Sequence, residues 1–159
     1  MRPPVTDRTR VKLGELAARL DDQLTLALAV HYGREGRQAL TLLQDVLWRV
    51  PVDTRIRLLD DALWHTGLHD EVPFLVPSLS AVFRIRNLIS HGVTVGETDD
   101  LLTLFAVRKG KRQTLTLDID QLNWAVAAAE RCSYLYFLRI EGRIGALDTW
   151  SELYGFAEE

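Results

Sequence analysis

One cysteine, Cys132, is all the chain has, so no disulfide within the chain and no cysteine-based metal cluster can form. A reducing cytoplasm is therefore the expected location. Positive charge is not in surplus either: 19 Lys and Arg stand against 22 Asp and Glu, a formal net charge of -3. No overall basic field exists to hold a polyanion, and binding one requires a local site. No apolar run approaches membrane-spanning length, and the opening "MRPPVTDRTR" lacks the apolar core of an export signal. The stretches "GREGRQ" and "VGETDD" lack the strand-then-helix setting and the lysine of a phosphate-binding loop, which argues against nucleoside triphosphate hydrolysis. No serine sits in a nucleophile-elbow pattern, so an esterase or protease triad has no support. What remains is a chain of 159 residues, 47% hydrophobic and 26% charged, which suits one compact domain with a real core over residues 1–159.

The apolar periodicity is mostly helical. Leu13, Leu16, Ala17, Leu20, Leu24, Ala27 and Leu28 recur at three- and four-residue steps and predict a helix over about 7–32, stopped by Gly33. A second helix is expected over 38–49 with Leu42, Leu43, Val46 and Leu47 inward, ending before Pro51. Asp53 reads as the N-cap of a third helix over 54–66, which buries Ile56, Leu59, Ala62 and Leu63 and stops at Gly67. Pro73 or Pro77 opens a fourth, 77–91, closed by Gly92 as a left-handed cap. After a linker, "VTVGETDD", the period changes: residues 101–119 read as a β-hairpin turning at Lys109-Gly110-Lys111. Asp120 is expected to cap a fifth helix, 121–141, and a short helix over 147–154 to close the chain. The expected fold is mainly α, an up-and-down bundle of four or five helices with an inserted hairpin. Trp48, Trp64, Trp124 and Trp150, with Tyr134 and Tyr136, are read as core and interface packing.

His65 and His69 stand four residues apart, a metal-binding spacing, but Gly67 between them ends the helix and no further ligands complete a set. No metal or cofactor is expected. His31, at the end of the first helix, reads as a capping or partly buried residue.

The stretch "AVFRIRNLISHGVTVG", Ala81 to Gly96, is different in kind. It begins as the apolar face of a buried helix and ends with Arg84, Arg86, Asn87, Ser90 and His91. At about 100° per residue, Arg84, Asn87 and His91 share a face, while Arg86 lies about 140° from His91. Two readings stand on the residues alone. In one, His91 and Arg86 cap the carbonyls of a helix C-terminus, where cations are favoured. In the other, His91 acts as general acid or base and Arg86 binds a phosphate, with Ser90 and Asn87 orienting them. That set suits metal-free cleavage of an RNA phosphodiester by its own 2′-hydroxyl.

The motif "RNLISHG", with Arg86, Asn87, four residues between Arg86 and His91, and Gly92, resembles the signature of the HEPN family (higher eukaryotes and prokaryotes nucleotide-binding domains). The preceding "VDTRIRLLDDAL" is similar to the helix before the motif in bacterial members, and the resemblance spans roughly Leu13 to Gly92. It implies a HEPN-like bundle with the motif at the end of an inner helix, and a metal-independent endoribonuclease of the toxin–antitoxin or phage-defence kind. It further implies a homodimer whose two motifs face one cleft, with RNA as substrate and an antitoxin or other protein as partner. Arg86 and His91 would then be catalytic, and Asn87, Ser90 and Arg84 supporting. Val93 stands where one branch carries a nucleotidylated tyrosine, so that regulation is not implied here. Non-catalytic members imply the alternative of a regulatory or scaffold protein that binds a protein or nucleotide partner.

Overall fold

The computed structural model describes residues 4–33 and 36–133. They form five α-helices, α1 (Val5–Gly33), α2 (Gly36–Asp45), α3 (Val52–Thr66), α4 (Leu75–His91) and α5 (Ile119–Arg131), and three strands, β1 (Val93–Glu97), β2 (Leu101–Arg108) and β3 (Lys111–Asp118). Short 3-10 turns follow α2 at Leu47–Arg49 and α3 at His69–Glu71. The chain groups into two compact units. One comprises the chain up to Ala18 with Ser78–Glu130, the other Arg19–Pro77 with the residues from Arg131 on. The helices α1 and α4 each contribute to both. The helix expected over 147–154, the end of the one expected over 121–141, and Tyr134, Tyr136 and Trp150 lie outside the described residues.

In the first unit the sheet is antiparallel, in the order β1-β2-β3. Where the sequence predicts a hairpin there are three strands, because "VTVGE" pairs with β2 instead of serving as a linker. Its β-branched residues favour extended backbone, and Val93 lies opposite Phe105 and Thr94 opposite Leu104 before a bulge shifts the register. Strands β2 and β3 pair without interruption from Leu101↔Asp118 to Arg108↔Lys111. Alternation sends Leu102, Leu104 and Leu117 into the core and leaves Leu101 and Val107 exposed. The turn between them is Lys109-Gly110, both with positive φ (51° and 74°), the type I′ arrangement that matches strand twist. Glycine accepts that conformation freely, whereas lysine there costs about 1 kcal/mol.

The β1–β2 loop is acidic for a reason. Asp99 Oδ1 accepts a hydrogen bond from Val5 N–H at 2.8 Å, and so neutralises an unsatisfied donor at the N-terminus of α1. The buried Thr6 hydroxyl donates to the carbonyl of Thr98 (2.6 Å), and Arg10 reaches Glu97 at 3.3 Å. Helix α5 begins two residues earlier than expected. Its cap is Asp118, not Asp120: Asp118 Oδ1 accepts from Gln121 N–H (2.7 Å) and Gln121 Oε1 accepts from Asp118 N–H (3.0 Å). This reciprocal pair satisfies two orphan donors at once.

In the second unit every expected core position of α3 is buried, and Gly67 ends the helix in the left-handed conformation at φ 71°. Pro51, not Asp53, occupies the N-cap, so Asp53 sits in the first turn. The second helix ends at Asp45 rather than 49, and the chain tightens into the 3-10 turn that buries Leu47 but leaves Val46 exposed. Gly33 allows α1 and α2 to meet, since a Cβ there would lie 2.5 Å from the backbone of Ala39. Arg55 is the exception in this core. It is 5% exposed and is held by Asp21 at 2.7 Å, by the carbonyl of Val50 at 3.0 Å and by the Thr25 hydroxyl. Of the tryptophans expected in packing, Trp48, Trp64 and Trp124 are about half exposed. Trp64 lies flat against His69 with ring centroids 3.8 Å apart.

Candidate functional site

Helix α4 is built on an apolar stripe. Leu75, Leu79, Val82 and Phe83 recur at helical spacing and are all buried to 2% exposure or less. Counting about 100° per residue, Arg86 falls in the middle of this stripe, one turn beyond Val82. It is partly buried accordingly. Asn87 is partly buried, while Arg84, Ser90 and His91 are exposed, with Arg84 and His91 on the side of the helix away from the stripe.

The helix stays regular to its end. Gly92 N–H donates to the Leu88 carbonyl at 2.9 Å, an α-helical bond, so the last turn is not distorted to bring Arg86 and His91 together. Gly92 is not the left-handed cap the sequence predicts, because its φ is not positive. It is required for a different reason: a Cβ there would meet the Leu88 carbonyl oxygen at 2.7 Å and Leu104 Cβ at 3.2 Å. Close approach of the chain to β2 thus sets where His91 stands.

Among the candidate residues one direct link exists. Arg86 Nη1 donates to Asn87 Oδ1 at 3.1 Å, which ties the buried stripe to the face that carries His91 about one turn later. No carboxylate contacts Arg86 among the described residues, and His91, Arg84 and Ser90 have no side-chain hydrogen bond or ion pair there. A neutral amide is a weak partner for a guanidinium, whose five donors suit a bidentate anion. Among the described residues the site thus has cationic and acid–base groups and no carboxylate.

The other histidines have other settings. His69 falls in the 3-10 turn after Gly67, with Asp60 3.8 Å from Nε2 and Asp70 3.4 Å from Nδ1, so His65 and His69 do not share a helical face. Among the described residues no group of three His, Cys, Asp or Glu is arranged to hold a metal ion. His31 packs edge-on against Tyr32, and burial, with a smaller contribution from His65, lowers its pKa from the ordinary value. Open grooves on the described surface lie elsewhere. One of about 460 Å³ is lined by Tyr32, Arg37, Thr41 and Val46 among others, and one of about 290 Å³ by Val5, Arg8, Lys12 and Asn123 among others. Neither is lined by Arg86 or His91. No helix among the described residues is long and apolar enough to cross a membrane.

Arg55 is the residue that sequence reasoning passes over. It stands on the stripe of Leu59, Ala62 and Leu63, as Arg86 stands on that of α4, and a charge at such a position is the readable signal. No protein-family model, curated protein or solved structure gives a significant match to the chain.

Proposed function

We propose that the chain is a metal-independent endoribonuclease of HEPN type, with its helices as a HEPN-like bundle, acting as a homodimer in toxin–antitoxin or phage defence. The observation that carries this reading is a half-buried arginine on an apolar stripe with no carboxylate partner among the described residues, followed about 7.5 Å further along the same helix by an exposed histidine that has no side-chain partner among them. A half-buried guanidinium that meets only an amide among the described residues retains donors for an anion, and a phosphate suits them. In this scheme His91 takes the proton of a 2′-hydroxyl, and the freed oxygen attacks the adjacent phosphorus. Arg86 balances the negative charge that develops on the non-bridging oxygens. The partner's His91 returns a proton to the departing 5′-oxygen, leaving a 2′,3′-cyclic phosphate and a 5′-hydroxyl. Asn87 holds the guanidinium, and Arg84 and Ser90 flank the strand.

A second copy has a physical role here. Arg86 and His91 diverge around one helix axis by about 140°, and two facing helices place one copy's arginine beside the other's histidine without bending either. The non-enzymatic alternative, a regulatory or scaffold protein, draws on the exposed Val93, Val95, Leu101 and Val107 of the sheet, which suit a protein surface.

Cleavage of a mixed pool of cellular RNA by purified protein in chelator separates the two. The wild type is expected to cut and to leave 2′,3′-cyclic ends, and His91→Ala to lose about 100-fold or more of that rate. A wild type as inert as the variant would replace the enzyme with the regulatory reading.

A further inference from the structure

We infer that the β2–β3 hairpin tip is the surface that grips the phosphate backbone of the RNA. The inference rests on RNA being the substrate, as read above. The two ends of the sheet are opposite in charge and in state. At the end formed by Glu97, Asp99 and Asp100, two of the three carboxylates are engaged: Asp99 caps α1, and Glu97 meets Arg10 and Thr6. At the other end the sequence runs Arg108-Lys109-Gly110-Lys111-Arg112. Lys109, Lys111 and Arg112 are all exposed, and none has an ion-pair partner among the described residues. A chain with a net charge of -3 therefore concentrates unbalanced positive charge at one turn.

The register puts this turn on the side of the sheet where α4 ends. Val93, two residues after His91, pairs with Phe105, and β2 runs three residues further to Arg108. The tip thus projects about 10 Å beyond the start of β1. A strand lying across the end of α4 would continue over these cations.

The turn itself carries an independent sign. Lys109 holds a positive φ of 51°, a conformation that asparagine or glycine accepts with less strain. The turn geometry would be met with less strain by asparagine, so turn geometry does not account for a lysine at this position. A membrane surface would also attract the charges, but it would favour large apolar side chains at the tip, and the five residues there include none.

The test measures binding apart from cleavage. In a His91→Ala background, a fluorescein-labelled oligouridine is titrated by anisotropy over a range of salt. The comparison is with the same protein carrying Lys109→Asn, Lys111→Thr and Arg112→Thr. The triple variant is expected to bind at least tenfold more weakly, with the slope of log affinity against log salt shallower by about 2. The triple variant is expected to melt at the same temperature as its His91→Ala parent or higher, since Lys109→Asn relieves the turn and the other two positions are exposed, so weaker binding is not unfolding. Unchanged affinity and slope overturn the inference even if the wild type cleaves RNA. Hairpin-dependent binding by a wild type that does not cleave supports the inference and removes the catalytic reading. Hairpin-dependent binding to phosphatidylserine vesicles without binding to RNA also overturns the inference.

Discussion

Arg55 and Arg86 each stand where a leucine would be expected, on the apolar stripe of a helix, one in the second unit and one in the first. Arg55 is 5% exposed and fully engaged, with Asp21, Thr25 and the Val50 carbonyl around its guanidinium. Arg86 is less buried and, among the described residues, has only the Asn87 amide. The difference separates two uses of one residue type. A cation withdrawn from water must meet an anion or strong acceptors, so a satisfied arginine belongs to the core, and one left short is open to a ligand. Position on a helical wheel identifies both, and only the partners tell them apart.

The largest expected effect breaks the structural side of the pair. Arg55→Ala leaves Asp21 and Thr25 without their donor and is expected to cost about 3 kcal/mol of stability in urea denaturation. Gly92→Ala comes next. Its Cβ has to displace the Leu88 carbonyl or Leu104, at a cost of about 2 kcal/mol by thermal melting, and it shifts His91 enough to lower the cleavage rate as well. Asn87→Asp sharpens the comparison by making Arg86 resemble Arg55. A carboxylate in place of the amide gives the guanidinium an internal counter-ion. The rate is expected to fall about tenfold while stability rises by about 0.5 kcal/mol. The smallest effect concerns pH. Burial lowers the His31 pKa, so the folded state favours the neutral ring. That contribution is full above the ordinary histidine pKa and is lost as pH falls below it through the lowered value. His31→Asn is expected to reduce the drop in melting temperature between neutral and mildly acidic buffer.

The helical frame was largely legible, because long stripes such as Leu13 to Leu28 repeat one period over many turns and all seven predicted positions are buried. Strand β1 was not. Five residues are too few to show a period, and Gly96 and the acids after it read as a loop until Asp99 is seen capping α1. The caps were misplaced where acids cluster near a helix start. Asp118 with Gln121 three residues later was the readable pattern, since only that spacing satisfies both donors. The candidate site was legible as residues and as angles on a wheel. What no wheel could show is that the last turn of α4 stays regular, or that Arg86 finds an amide and no carboxylate among the described residues. Those depend on chain segments brought together by the fold.

On the proposed reading, Arg86 is held for a phosphate and not for the core. Arg86→Ala and Arg55→Ala, prepared together, can be compared for melting temperature and for RNA cleavage per folded molecule. Arg86→Ala is expected to melt close to wild type and to have lost cleavage, while Arg55→Ala melts lower but cuts normally where it remains folded. An Arg86→Ala protein that melts as low as Arg55→Ala, or that cuts RNA at the wild-type rate, would contradict it.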